Sequence, residues 1–153
     1  MALQSPARRR VLYRITRLGG AALALTGVSL SAVRAAAPDA ERQRFMAHAY
    51  EMRRRAIASG DQAFGAVVVK NGQVVGEGVS AVLTTPDPTA HGEMQAIRDA
   101  ARRLGSAKLA GCELYTTFQP CQMCETAAYW AGIERIFYGE AVTDGGAPRY
   151  RSC

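Results

Sequence analysis

No acidic residue occurs in the first 35 positions of this 153-residue chain. Six arginines do: Arg8, Arg9, Arg10, Arg14, Arg17 and Arg34. The formal net charge of +6 is therefore concentrated at the start. Beyond it, 13 basic residues face 13 acidic ones. A neutral body has no general electrostatic pull on phosphate backbones, which argues against nucleic acid as a partner. Long apolar runs are also absent. The longest, "LGGAALALTGVSLSAV" at residues 18–33, is too short and too diluted with small polar residues for a stable membrane span. Aromatics are few, at 7%, while apolar content is ordinary, as in globular proteins. There is no internal repeat, and no low-complexity segment beyond the leader. The length suffices for one domain with a real core but hardly for two.

What is present begins with that leader. A basic start, a short apolar middle and a small-residue end form the order of an export signal. The run Arg8-Arg9-Arg10-Val11-Leu12 resembles a twin-arginine signal. The reading is a signal over residues 1–35, cleaved after Ala35, with residues 36–153 as a periplasmic or secreted body. A plain N-terminal extension, or a start assigned too early, would leave the body in the cytoplasm.

In the body, Phe45, Ala49, Met52 and Ile57 recur at helical spacing, with Asp39 as a cap and Gly60 as a stop. Two β-rich runs flank Asn71-Gly72, the favoured pair for a tight hairpin. The proline-bearing loop "LTTPDPTA" follows. Residues 91–104 read as a helix with Met94, Ile97, Ala101 and Leu104 inward. "CELYTT" and "ERIFYG" are short strands on either side of a helix that starts at "CQMC". The order α-β-β-α-β-α-β predicts an α/β protein with helices packed on one mixed sheet.

Cys121 and Cys124 lie three apart, so both thiols emerge on one face of a helical first turn. There the positive end of the helix dipole favours thiolate, the metal-binding form. His91 holds the matching place at the start of the preceding helix. One imidazole and two thiolates make a three-ligand zinc site, and catalytic zinc is the kind that keeps a fourth position for water. Glu93, two residues after His91, need not be a ligand and can move that water's proton. A redox dithiol or two buried cysteines would account for the cysteines but not for His91 and Glu93.

The two motifs, His91-Gly92-Glu93 and Pro120-Cys121-Gln122-Met123-Cys124, resemble the signature of zinc-dependent base deaminases. The sequence is similar to the cytidine and deoxycytidylate deaminase superfamily over about residues 43–139. "FGAVVVKNG", "DPTAHGEMQAIRDA", "LYTT", "PCQMC" and "YWA" most resemble bacterial guanine deaminases, and Tyr129-Trp130-Ala131 favours them over the related tRNA adenosine deaminases. The resemblance implies a three-layer α-β-α fold around a mixed sheet. It also implies Zn2+ on His91, Cys121 and Cys124, and Glu93 as the catalytic proton carrier. The expected substrate is a small nucleobase or nucleoside, with guanine first. The alternatives are a tRNA adenosine deaminase and a zinc-bound relative that binds without catalysis. Base contacts are expected from Ser80, from the backbone of Gly92 and from Gln119.

Three departures from the family pattern bear on these expectations. Ser80 and Ala81 stand where relatives usually carry an asparagine, so the bidentate amide is lost. Gln119 replaces a glutamate before Pro-Cys. The tail "GEAVTDGGAPRYRSC" does not read as the C-terminal helix and strand that relatives add. An uncovered strand edge at Ile136 and Phe137 would favour a homodimer, unless the tail folds back with Pro148 and Tyr150 over it. Lesser expectations are a packed or solvent-facing His48, a solvated Arg53-Arg54-Arg55 face, a buried Cys112 and an exposed Cys153.

Overall fold

The computed structural model describes residues 30–150, with side chains from Asp39 onward. Most of the expected export signal, and Cys153, lie outside the described residues. The elements run α1 (Leu30–Ala58), β1 (Gly65–Lys70), β2 (Gln73–Val79), α2 (Gly92–Leu104), β3 (Cys112–Thr116), α3 (Gln122–Ala131), β4 (Arg135–Tyr138) and β5 (Thr143–Gly146). The sheet order is β2-β1-β3-β4-β5. Among the described residues only β3 and β4 pair in parallel, across the crossover helix α3. Among the described residues no helix is long and apolar enough to cross a membrane.

The period-two alternation of strands divides the core into two layers. Val67 and Val69 of β1 join Tyr115 and Phe137 against Phe45, Met46, Ala49 and Met52 of α1. Ala66 and Val68 join Leu114 and Ile136 against Ala96, Ile97 and Ala100 of α2 and Ala128 of α3. One helix covers one face and two cover the other, which is the three-layer α-β-α architecture. The aromatic column Phe45–Tyr115–Phe137, with centroids 5.3 and 4.8 Å apart, binds α1 to the sheet. Each such large side chain contributes roughly 1.5–3 kcal/mol through burial.

Local chemistry explains the hairpin. Asn71 and Gly72 take φ of 51° and 74°, the left-handed pair of a type I′ turn. Lys70 then faces Gln73 across it.

Close approach of α2 to the sheet depends on missing side chains. A Cβ on Gly78 would lie 1.8 Å from the Gly92 carbonyl oxygen and 2.4 Å from the Ala96 nitrogen. A Cβ on Gly92 would come within 3.0 Å of Gly65 Cα. The first turn of α2 therefore rests its backbone directly on β1 and β2.

Several boundaries differ from the sequence reading. Helix α1 begins at Leu30, so Asp39 lies inside it and pairs with Arg42 at 3.4 Å rather than capping it. Ala56 takes the last inward place on α1, and Ile57 is 53% exposed. The inward face of α2 is Glu93, Ala96, Ile97 and Ala100. Met94 is only half-buried and Leu104 is exposed. The cause is the glycine contact, which rotates the backbone of the first turn toward the sheet.

The expected unpaired edge on β4 is corrected as well. β5 pairs antiparallel with β4, Phe137 facing Asp144 and Tyr138 facing Thr143. Its sequence, Thr-Asp-Gly-Gly, carries no strand propensity, so pairing with an available edge decides its conformation. Pro148 is buried, the Arg149 N–H donates to Glu125 at 3.2 Å, and Tyr150 packs on Tyr129 and Trp130. The tail thus folds back over the edge. Among the described residues no helix follows β4.

Candidate metal centre

His91 and Cys121 occupy equivalent places. Each is the N-cap of its helix, in extended backbone (φ −62°, ψ 153° and φ −70°, ψ 167°), and neither side chain caps its own helix. Both are therefore free to turn toward each other. His91 Nδ1 lies 3.7 Å from Cys121 Sγ and 3.6 Å from Cys124 Sγ. All three ligand atoms fall within 4.8 Å of one another.

Zinc in tetrahedral N/S coordination, with Zn–N of about 2.0–2.1 Å and Zn–S of about 2.3 Å, puts neighbouring N and S donors roughly 3.6 Å apart. The observed spacings fit that ion. Charge agrees with geometry. Burial, then Glu93 and Cys121 beside it, hold the Cys124 thiol above its ordinary pKa. A cation at the shared point reverses that penalty and favours thiolate. The arrangement sits past the C-terminal end of β3, where α3 departs, the usual crevice position in α/β sheets.

Glu93 is 5% exposed and stands beside the three ligands without joining them. The Thr116 hydroxyl donates to its Oε1 at 3.0 Å. The other oxygen, Oε2, is 3.6 Å from Cys124 Sγ. One oxygen is thus held from the sheet while the other faces the ligand cluster. Sequence reading missed Thr116. Strand parity with Leu114, which faces α2, could have placed it on the Glu93 side.

The other residues expected near the base are placed as follows. Ser80 is 1% exposed, and its hydroxyl donates to Asp61 at 2.8 Å. Gly92 lies between His91 and Glu93, buried against Gly65 and Gly78. Gln119 is exposed and lines a groove of about 280 Å3 with Glu125, Tyr138 and Arg149. His48 bonds Glu77 at 2.8 Å, away from the centre. Cys112 is buried as expected. Arg54 and Arg55 are exposed, whereas Arg53 is half-buried and its Nε donates to the Ala63 carbonyl at 3.0 Å.

Residues 39–140 match the model of the cytidine and deoxycytidylate deaminase zinc-binding region. The chain belongs to this deaminase family. It is 49% identical over 81 residues to the guanine deaminase of Bacillus subtilis, covering 53% of this chain and 52% of that enzyme. It is 39% identical over 108 residues to the tRNA-specific adenosine deaminase of Agrobacterium fabrum, covering 71% of each chain. The crystal structure of the Bacillus subtilis guanine deaminase superposes with a TM-score of 0.61 at 42% identity, over 63% of this chain and 62% of that one. The chain thus spans about half the length of the curated guanine deaminase it matches. His91, Cys121 and Cys124 are the residues that would hold zinc in this deaminase domain.

The purified protein is expected to carry about one zinc per chain on one nitrogen and two sulfurs. Elemental analysis and X-ray absorption check this. A folded, metal-free protein, or a four-sulfur shell, would overturn the assignment.

Proposed function

We propose that the chain hydrolytically deaminates a free nucleobase or nucleoside, with guanine the favoured substrate. The observation that carries this reading is Glu93, buried beside the ligand cluster and held by Thr116 with Oε2 turned to the ligands. When bound, zinc supplies the Lewis acidity that makes a water nucleophilic near neutral pH. Glu93 Oε2 would take one proton of that water and deliver it to a ring nitrogen. After the water oxygen attacks the carbon bearing the exocyclic amine, Glu93 would take the remaining proton of the new hydroxyl and pass it to the amine; the C–N bond then breaks, a carbonyl forms and ammonia departs. Thr116 keeps the carboxylate from rotating between these transfers. The Gly92 N–H is one of the first-turn donors that a helix leaves without an intrahelical partner, and it is suited to a base carbonyl.

Guanine is preferred because the match to the Bacillus subtilis guanine deaminase has the higher identity and the body is neutral. One observation favours a second reading, a tRNA adenosine deaminase. Tyr129, Trp130 and Tyr150 form an exposed cluster with centroids 5.8 to 6.0 Å apart. Such rings can stack unpaired bases. Ammonia release from guanine, cytosine, adenine, their nucleosides and a tRNA anticodon arm separates the readings. The expected result is turnover of guanine and none of the RNA. Turnover of RNA alone would favour the second reading. A zinc-loaded protein inert toward every substrate would point to a binding role.

A further inference from the structure

We propose that Asp61 is a positioning residue of the deaminase site, organising the segment Ser80–Thr84 into the rim that leads to His91. The inference rests on the deaminase reading above.

Asp61 is buried in the turn between α1 and β1. Its Oδ1 accepts from the Gln62 N–H at 2.8 Å, the Ser80 hydroxyl at 2.8 Å and the Val82 N–H at 3.1 Å. Its Oδ2 accepts from the Leu83 N–H at 2.9 Å, the Thr84 N–H at 2.8 Å and the Thr84 hydroxyl at 2.9 Å. An ionised carboxylate offers about four lone-pair sites and no proton, so every direction in which it can accept is taken. Burial alone would raise its pKa. The donors from Thr84, Ser80 and Gln62 outweigh that and hold it well below the usual carboxylate range. Three successive backbone N–H groups, Val82 to Thr84, can point to one place only if the chain curls around it. The carboxylate is what they curl around.

Two further bonds connect this curl to the chemistry. The Ala81 N–H donates to the Ala90 carbonyl at 2.9 Å, one residue before His91. The Ser80 N–H donates to the Phe64 carbonyl at 3.2 Å, one residue before Gly65, which supports Gly92. Arg53 pins the same α1–β1 turn through the Ala63 carbonyl. The turn, the rim and the start of α2 are therefore one hydrogen-bonded unit. A consequence concerns Ser80. Its hydroxyl proton is committed to Asp61, so toward a base it can only accept.

Asp61→Asn keeps the shape but turns one acceptor oxygen into an N–H group facing other donors. The expected result is a KM for guanine raised about 10- to 100-fold, as for a misplaced rim, with a smaller fall in kcat. Zinc content should stay near the parent's, while Tm should fall, because buried donors lose their acceptor. Amide exchange at Val82, Leu83 and Thr84 should quicken about tenfold. Thr84→Val removes one donor, leaves the charge, and should move KM the same way by a smaller factor. It decides the matter if Asp61→Asn does not fold. An active parent whose variants lose amide protection but keep KM would overturn the positioning role alone. Unchanged protection in Asp61→Asn would also overturn it. A parent inert toward every base overturns the deaminase reading, and the positioning role falls with it.

Discussion

Glu93→Gln will fold and hold zinc like the parent, yet release ammonia about 10²–10⁴-fold more slowly, the usual contribution of a positioned proton carrier. The amide has nearly the shape of the carboxylate. Its carbonyl oxygen can still accept from Thr116, so the 3.0 Å bond need not be lost. What disappears is the ability of the second oxygen, beside Cys124, to take and return a proton. The three ligand side chains are untouched, so metal content separates a proton-transfer defect from a metal-binding one. Turnover within a few-fold of the parent, at equal zinc occupancy, would refute the role.

Gly78→Ala will do comparable damage from outside the site. Propensity and packing predict opposite signs here, and the magnitudes decide. Alanine in place of a strand glycine gains roughly 0.5–1 kcal/mol from reduced backbone freedom in the unfolded chain. Against this, the new methyl would sit 1.8 Å from the Gly92 oxygen and 2.4 Å from the Ala96 nitrogen. Both contacts are backbone atoms of α2, which cannot rotate away as a side chain would. Overpacking of this kind costs about 3 kcal/mol or more. It can be relieved only by lifting the start of α2, and His91 and Glu93 move with it. Denaturant unfolding should therefore show a loss of stability, and zinc affinity should fall in parallel. A variant with parental stability and parental zinc affinity would show that α2 is not seated as described.

The ligand set and the carboxylate beside it were legible because their chemistry is local. Two cysteines three apart at a helix start, and a histidine at the start of the helix before, announce their geometry without tertiary information. The hairpin was legible for the same reason, since Asn71-Gly72 states its backbone angles. The seating of α2 was not. Helical periodicity pointed to Met94 and Leu104, but Gly78 and Gly92 admit the backbone so closely that Glu93 and Ala96 turn inward. β5 was illegible because Thr-Asp-Gly-Gly has no preference for extension, and the exposed edge of β4 supplies one. Asp61 carried no signal at all. Its partners lie about 20 positions away, in a loop whose path it creates. Ser80 was expected to meet a substrate, yet its proton was already assigned to that carboxylate.

The two N-cap positions have a consequence for how the fold is tuned. Serine, threonine, aspartate and asparagine favour such places because they satisfy an N–H of the first turn, worth about 0.5–2 kcal/mol. The chain puts His91 and Cys121 there instead, and neither supplies that bond. Both helix starts are thus weaker than ordinary residues could make them. The region around the centre is locally frustrated in the metal-free chain, and a search for stabilising substitutions would be drawn to these two positions. Screening on heat resistance alone would therefore tend to select the metal ligands out of the protein.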